Sequence, residues 1–145
     1  MKNIREVQEE IVAEFGLYDD WMDKYNYLIE LSKDLPLIDI KLKVKENLIN
    51  GCQSKVWLNA EYNHGHIQFT ADSDAIITKG IIALLVRILS GRTPKEIMDA
   101  DLFFVDQIGL RQNLSPTRSN GLLSMIKQIK LYALAYHTKY GNSLV

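Results

Sequence analysis

The residue best suited to chemistry in this sequence is Cys52, the only cysteine among the 145 residues. It follows Gly51 in a polar stretch, Asn50 to Lys55, and a run with strand-like alternation begins directly after that stretch. Glycine reaches backbone conformations that other residues resist, so Gly51 can turn the chain and leave the thiol on a loop. A thiolate there is a nucleophile toward a partner, and Lys55 is close enough in sequence to favour the ionised form.

A buried, inert role for Cys52 stays open, because free cysteine is among the most buried residue types. A Cys–His hydrolase needs an imidazole against the nucleophile and a third group that orients it, and nothing in the sequence places a histidine there. A zinc site needs several convergent ligands. Cys52, His64 and His66 match no standard zinc spacing, so no metal site is predicted.

Three further charged residues occupy informative positions. Asp72 and Asp74 precede an apolar run, and we predict that they cap the helix that this run forms. Arg118 is expected in the first turn of the last helix, where a cation opposes the helix dipole at a cost of about 0.3–1 kcal/mol. This position predicts a specific contact for Arg118, with Asp72, with Asp74 or with the Cys52 loop.

Composition narrows the class of protein. Hydrophobic residues make up 47% and charged residues 24% of the chain, the formal net charge is −1, and these values fit one domain over residues 1–145. They give no reason to expect nucleic acid or a membrane as partner. The lone cysteine cannot form an internal disulfide, and the charged start of the chain does not resemble a signal peptide, so the cytoplasm is the expected compartment.

Apolar spacing of three and four residues, together with capping signals, predicts six helices. Their expected limits are Asn3 to Gly16, Asp20 to Leu35, Ala75 to Leu89, Thr93 to Ala100, Asp101 to Leu110, and Pro116 to Tyr140. The third of these is so apolar that we expect it at the centre of the core.

Strict alternation over residues 56–62 and 66–71, around the turn Asn63-His64-Gly65, predicts a β-hairpin. Two strands alone are marginally stable, and the segment Leu37 to Asn50 offers a third. The predicted fold class is therefore α+β, with a small antiparallel sheet of about three strands packed on one face by helices.

Three blocks of sequence resemble the SufE family of cysteine desulfuration proteins. They are Gly51-Cys52-Gln53-Ser54-Lys55-Val56-Trp57, Ala71-Asp72-Ser73-Asp74-Ala75 with Lys79-Gly80, and Leu114-Ser115-Pro116-Thr117-Arg118-Ser119-Asn120-Gly121-Leu122. The blocks keep the order and approximate spacing of the family, and the resemblance extends over nearly the whole chain.

The resemblance implies a sulfur acceptor that takes persulfide sulfur from a pyridoxal-phosphate cysteine desulfurase (SufS-like) onto Cys52. It also implies stimulation of that desulfurase and delivery of the sulfur to an iron–sulfur cluster assembly scaffold (SufBCD-like). The supporting residues that it implies are Gly51, Gln53, Ser54, Lys55, Asp74 and Arg118. No metal and no cofactor of its own are implied, because the cofactor chemistry belongs to the partner.

Such a protein is an activator and sulfur-transfer partner rather than an independent enzyme, although it could also be classed as a sulfurtransferase. The sequence leaves three alternatives open. The partner could be a paralogous desulfurase that serves other sulfur pathways. The chain could also be an independent cysteine-dependent hydrolase, or a binding module in which the cysteine is incidental.

Overall fold

A computed structural model describes residues 2–141. In it, the segments that carry capping and turn signals form seven α-helices and one antiparallel hairpin. The helices are α1 (Ile4–Phe15), α2 (Trp21–Ser32), α3 (Ile76–Leu89), α4 (Pro94–Asp99), α5 (Phe104–Gln107), α6 (Leu110–Asn113) and α7 (Pro116–Tyr140). The strands are β1 (Val56–Asn63) and β2 (His66–Ser73).

Two helices begin at capping boxes that were predicted from the sequence. At α1, Asn3 Oδ1 accepts a hydrogen bond from Glu6 N at 2.8 Å, and Asn3 N donates one to Glu6 Oε1 at 3.1 Å. Thr93 and Glu96 make the same reciprocal pair at α4. Each pair satisfies two backbone N–H groups that the helix itself leaves unpaired, and both partners lie within three residues of each other, so local sequence is sufficient to determine these helix starts.

The predicted hairpin is confirmed. Val56 pairs with Ser73 at one end and Asn63 with His66 at the other, so the turn consists of His64 and Gly65. Both turn residues have positive φ, 51° and 85°, as a tight two-residue hairpin turn requires. One face of the hairpin is buried, and its residues are Val56, Leu58, Ala60, Ile67, Phe69 and Ala71.

The prediction of about three strands is wrong in number, because the described sheet has two. The segment expected to supply the third strand forms two short 3-10 turns, Ile40–Leu42 and Lys45–Asn47. Its backbone pairs with the strands only through isolated bridges, Leu37 to Ala71 and Leu48 to Trp57. More than half of this segment is exposed, and its charged residues are interspersed among the apolar ones, so it has no continuous apolar face that would hold it along a strand.

Helix α3 lies at the centre of the core, as predicted, with ten of its fourteen residues buried. It packs against the apolar face of the hairpin and against α1, α2 and α7. The tightest approach is at Gly80, where the backbone of α3 lies directly on the backbone of α2 at Leu28. Glycine is needed there because any larger side chain would fill the space that Leu28 occupies.

Two predicted helices have different limits. The second ends at Ser32, and residues 33–35 form a turn before Pro36. The helix expected over Asp101 to Leu110 is shorter, because α5 spans only Phe104–Gln107. A separate helix that was not predicted, α6, begins after Gly109, whose φ is 79°. The left-handed backbone at Gly109 cannot continue a helix, so the chain changes direction there. Among the described helices, none has the length and apolar character that a bilayer crossing requires.

We predict that Gly80→Ala destabilises the fold by about 1–3 kcal/mol, because the added Cβ would overlap the Leu28 carbonyl oxygen and lie 2.8 Å from Leu28 Cγ. Unfolding in urea, followed by circular dichroism, measures the loss. Gly16→Ala is the matched control, since it ends α1 in an ordinary right-handed conformation and should change the unfolding free energy by less than about 1 kcal/mol. Equal effects of the two substitutions would contradict the packing argument.

Candidate functional site

Cys52 lies on a loop between the sheet and α7. The chain turns at Asn50 and Gly51, Cys52 follows without regular structure, and β1 begins at Val56. Gly51 has a φ of 89°, so the turn uses a backbone conformation that other residues adopt at a cost of about 1–2 kcal/mol. The prediction of a loop position for Cys52, bordering the sheet with Gly51 at the turn, is confirmed.

The base of this loop is closed by two hydrogen bonds between backbone groups and one from the backbone to the Asp74 side chain. Ile49 N donates to Val56 O at 2.8 Å, across the two ends of the loop. Lys55 N donates to Asp74 Oδ1 at 3.0 Å, and Asp74 N donates to Lys55 O at 3.2 Å. Asp74 therefore supports the Cys52 loop from outside it, and the residues between the closed ends are the segment that can move.

The capping role predicted for Asp72 and Asp74 is wrong. The N-cap of α3 is Ala75, and no side chain caps this helix. Asp72 instead pairs with Lys43 at 3.0 Å and Lys79 at 3.4 Å. Partial burial opposes ionisation of Asp72, but the hydrogen bonds from Lys43 and Ser73 N, together with the charges of Lys79 and Lys43, lower the pKa of this carboxyl. Asp72 is thus an ionised anchor between three parts of the chain.

The thiol of Cys52 is half-buried against α7. Cys52 Sγ donates a weak hydrogen bond to the Gly121 carbonyl oxygen at 3.6 Å. Burial raises the pKa of the thiol, since a thiolate is poorly solvated there. A nearby Lys55 ammonium was expected to lower the pKa of the Cys52 thiol, but burial raises it. The side chain of Lys55 is exposed and does not line the cavity described below. At neutral pH the resting thiol is protonated.

Small residues let the loop approach α7 closely. A Cβ on Gly51 would overlap Ser124 Oγ and lie 3.3 Å from Ser124 Cβ. A Cβ on Gly121 would lie 3.7 Å from Cys52 Sγ, in ordinary contact. The backbone of residue 51 is therefore pressed against α7, and this contact places the thiol over Gly121.

A cavity of about 370 Å³ opens beside the thiol. Three segments form its wall: the loop, the start of α3, and the start of α7 with its cap. The lining residues are Cys52, Gln53, Ser54, Thr78, Ile81, Ser115, Thr117, Arg118, Gly121 and Met125. The floor contributed by Ile81 and Met125 is apolar, whereas the hydroxyl groups and Arg118 make the rest polar. Such a cavity suits a small, partly anionic group.

Arg118 lies on the wall of this cavity and not beside a carboxylate. Its backbone N donates to Ser115 Oγ at 3.3 Å, which caps α7. Within residues 2–141 no ion pair joins the Arg118 side chain to Asp72 or Asp74, so those two predicted partners are wrong. The remaining alternative, a position beside the Cys52 loop, agrees with the shared cavity, and the role of Arg118 stays a prediction.

Sequence reasoning missed seven residues of the site: Thr78, Ile81, Ser115, Thr117, Gly121, Ser124 and Met125. Ser115, Thr117 and Gly121 lie in the third family block, which gave a usable signal. The other four come from helix positions that look like ordinary packing positions, and only the tertiary fold brings them to Cys52. His64 and His66 lie at the hairpin turn, at the far end of β1 from Cys52. No group of metal-binding side chains is present in the part of the chain that the structure describes.

Comparisons with known proteins give one family. The family described as "SufE: Fe-S metabolism associated domain" matches residues 9–133. A SufE-like protein of Rhizobium etli is 40% identical over 127 residues, which cover 84% of this chain and 86% of that protein. A SufE-like protein of Rhizobium meliloti is 39% identical over 127 residues, covering 84% of this chain and 91% of that one.

A plant relative, SufE-like protein 1, chloroplastic/mitochondrial, of Arabidopsis thaliana, is 40% identical over 132 residues, covering 90% of this chain. The match spans only 36% of that longer protein. The solution structure of a hypothetical protein from Thermus thermophilus has a TM-score of 0.75, covers 91% of this chain and 96% of its own, and is 17% identical. This last likeness concerns the fold alone.

We predict that Gly51→Ala destabilises the protein by about 1–3 kcal/mol, through left-handed strain and through overlap with Ser124. In a Ser124→Ala background the overlap with Oγ is absent, so the same substitution should cost less. Urea unfolding of the four proteins of this double-mutant cycle measures the difference. An equal cost of Gly51→Ala in both backgrounds would show that the loop and α7 are not pressed together at this point.

Proposed function

The chain belongs to the SufE family of Fe–S metabolism proteins, and from this membership we propose that it accepts sulfur on Cys52 from a pyridoxal-phosphate cysteine desulfurase. One observation carries the proposal: the only cysteine of the chain lies on a glycine-hinged loop, at the wall of a small polar cavity. A sulfur-transfer role in Fe–S metabolism agrees with the family, and the steps below are our proposal for this chain.

The chemistry is an exchange of one sulfur atom. The Cys52 thiolate attacks the outer sulfur of the persulfide on the desulfurase, the sulfur–sulfur bond of that persulfide breaks, and the desulfurase cysteine leaves as a thiolate. A new sulfur–sulfur bond forms on Cys52. No net oxidation or reduction occurs, because one persulfide and one thiol become one thiol and one persulfide.

A single cysteine suits this role. A second thiol near Cys52 could attack the new persulfide and form a disulfide, which would release the cargo as sulfide. The sequence contains no second cysteine. Partial burial also protects the bound sulfur, because a persulfide is easily reduced or oxidised when small reagents reach it.

The supporting residues have distinct proposed roles. Gly51 is the pivot of the loop, and Gln53 and Ser54 form its part of the cavity wall. The backbone of Lys55 and the carboxylate of Asp74 hold the closed end of the loop. Arg118 adds positive charge to the cavity, where a persulfide anion would benefit from it.

We further propose that the chain forms one SufE-like domain, that it stimulates the SufS-like desulfurase, and that it delivers sulfur to a SufBCD-like assembly scaffold. It carries no cofactor in this scheme, because the carbon–sulfur bond is cleaved by the desulfurase. It is therefore an activator and sulfur carrier rather than an independent enzyme. The cytoplasm remains the proposed compartment, where reducing conditions keep a lone thiol available.

The function is tested with Cys52→Ser. The substitution should leave the unfolding free energy within about 1 kcal/mol, because one atom changes on a half-buried loop. It should abolish stimulation of the desulfurase and transfer of radiolabelled sulfur from L-cysteine. Ser124→Ala is the control that alters the neighbouring helix and keeps the thiol. Full stimulation by Cys52→Ser would show that the thiol is not the acceptor.

A second prediction concerns access to the thiol. The resting thiol is half-buried and its pKa is raised, so an attack on a partner requires the loop to open. Partner binding can drive this opening only if the desulfurase binds the open form more tightly. Cys52 should therefore react slowly with a bulky maleimide in the free protein and faster with a desulfurase that lacks its own reactive cysteine. Equal rates, with complex formation verified, would contradict gated exposure.

A further inference from the structure

The cavity beside Cys52 contains a hydroxyl group for which the protein offers no partner. Thr78, in the first turn of α3, is 6% exposed and lines this cavity. A threonine inside a helix often donates to a backbone carbonyl of the preceding turn. Within residues 2–141, Thr78 Oγ1 makes no such hydrogen bond and no other one.

The absence of a partner, together with the lining of the cavity, indicates that this hydroxyl faces the cavity. In the described part of the chain, every side-chain nitrogen or oxygen that is fully shut off from solvent has a hydrogen-bond partner. Thr78 Oγ1 has none, so it is not shut off, and the opening next to it is the cavity. A ligand in the cavity can accept the hydrogen bond of this hydroxyl without displacing any partner among the described residues.

Charge in the cavity favours an anion. The first turns of two long helices meet there, with Thr78 from α3 and Thr117 and Arg118 from α7. Helix N-termini carry partial positive charge, and no side chain caps that of α3. The Arg118 guanidinium adds a full positive charge, and no carboxylate lines the cavity.

The resting thiol does not use these groups. Cys52 Sγ is turned to the Gly121 carbonyl oxygen, an acceptor that suits a protonated thiol. A persulfide differs in two ways: its outer sulfur lies about 2 Å beyond Sγ, and it is a stronger acid than the thiol. The neutral thiol therefore fits the contact with the Gly121 carbonyl oxygen. The negatively charged outer sulfur of a persulfide, one bond farther from Cys52 Cβ, fits the cavity instead.

We propose that the Thr78 hydroxyl donates a hydrogen bond to the outer sulfur of the ionised Cys52 persulfide and holds it in this cavity. This inference rests on the proposed function. In the loading step, Cys52 gains the outer sulfur of the donor, and the donor leaves as a thiolate. The proton of the new persulfide passes to that thiolate through solvent, so atoms, charge and electrons balance. Thr78 is a positioning residue for the cargo and takes no part in bond cleavage.

The test compares Thr78→Val, which removes the hydroxyl at nearly constant volume, with Thr78→Ser, which keeps it. Thr70→Val is the matched control, because Thr70 lies on β2 outside the cavity. Each protein is loaded with sulfane sulfur from inorganic polysulfide, and the excess is removed. The pH dependence of alkylation by iodoacetamide, resolved by mass, then gives the pKa of the persulfide. The same titration of unloaded protein gives the pKa of the thiol.

We expect Thr78→Val to raise the pKa of the persulfide by about one unit, the effect of losing one hydrogen bond to a charged group. The pKa of the unloaded thiol should change by clearly less, since the thiol bonds to Gly121. At neutral pH the variant persulfide should also be lost to a small thiol reductant several-fold faster, because more of it is protonated and electrophilic. In Thr78→Ser and Thr70→Val, the pKa of the persulfide, the pKa of the thiol and the rate of reduction should equal those of the original protein.

A persulfide of Thr78→Val that titrates like the original would overturn the proposal. So would equal shifts of thiol and persulfide, which would indicate a general change of the cavity. If Thr78→Val does not fold, Thr78→Ala carries the same expectations. Failure of this inference leaves sulfur acceptance from the desulfurase intact in every variant, whereas failure of the proposed function appears as no transfer to the original protein.

Discussion

The site depends on the close contact between the turn at Gly51 and the side of α7 at Ser124. A left-handed glycine without a Cβ is what permits this approach. Because the turn is held against α7, the thiol of the next residue lies over the Gly121 carbonyl, and the cavity forms between the loop and two helix starts. The same helix thus supplies the surface that shields the thiol and the positive end that faces the cavity. The hairpin and α3 hold the Cys52 loop and α7 in this arrangement.

The half-buried position of the thiol on a loop bears on two requirements that the proposed function places on the Cys52 sulfur atom. Storage requires a thiol that small reagents do not reach, and transfer requires a thiolate that a partner can reach. Burial raises the pKa of the resting thiol and so favours storage. The loop has few apolar anchors of its own, since its residues other than Cys52 are polar or glycine, and release from α7 disrupts little of the core. In the proposed function, storage is therefore assigned to the closed loop and transfer to an open one.

Local signals in the sequence were sufficient for most of the fold. The helix starts at Asn3 and Thr93 and the alternation in the hairpin involve neighbours within a few residues, and each was predicted correctly. The turn predicted over Asn63-His64-Gly65 is one residue shorter, because Asn63 pairs with His66. The failures involve distant partners. Asp72 and Asp74 look like helix caps, but Lys43 and the backbone of Lys55 reach them from remote parts of the chain. The loop position of Cys52 was predictable from its polar flank, whereas Thr78 reads as one more core residue until the cavity beside it is seen.

The hydrogen bond between Ile49 N and Val56 O has a geometric consequence for any partner. It makes the segment between those residues a short tether with both ends fixed. A six-residue tether that leaves and returns to one point extends about 10 Å at most, because an extended chain gains roughly 3.4 Å per residue. The Cys52 thiol therefore cannot reach the bottom of a deep channel while the ends of the loop stay bonded to each other. In the proposed function, a sulfur donor therefore has to bring its outer sulfur to within this radius, and the length of this loop limits how deep the donor's site can be.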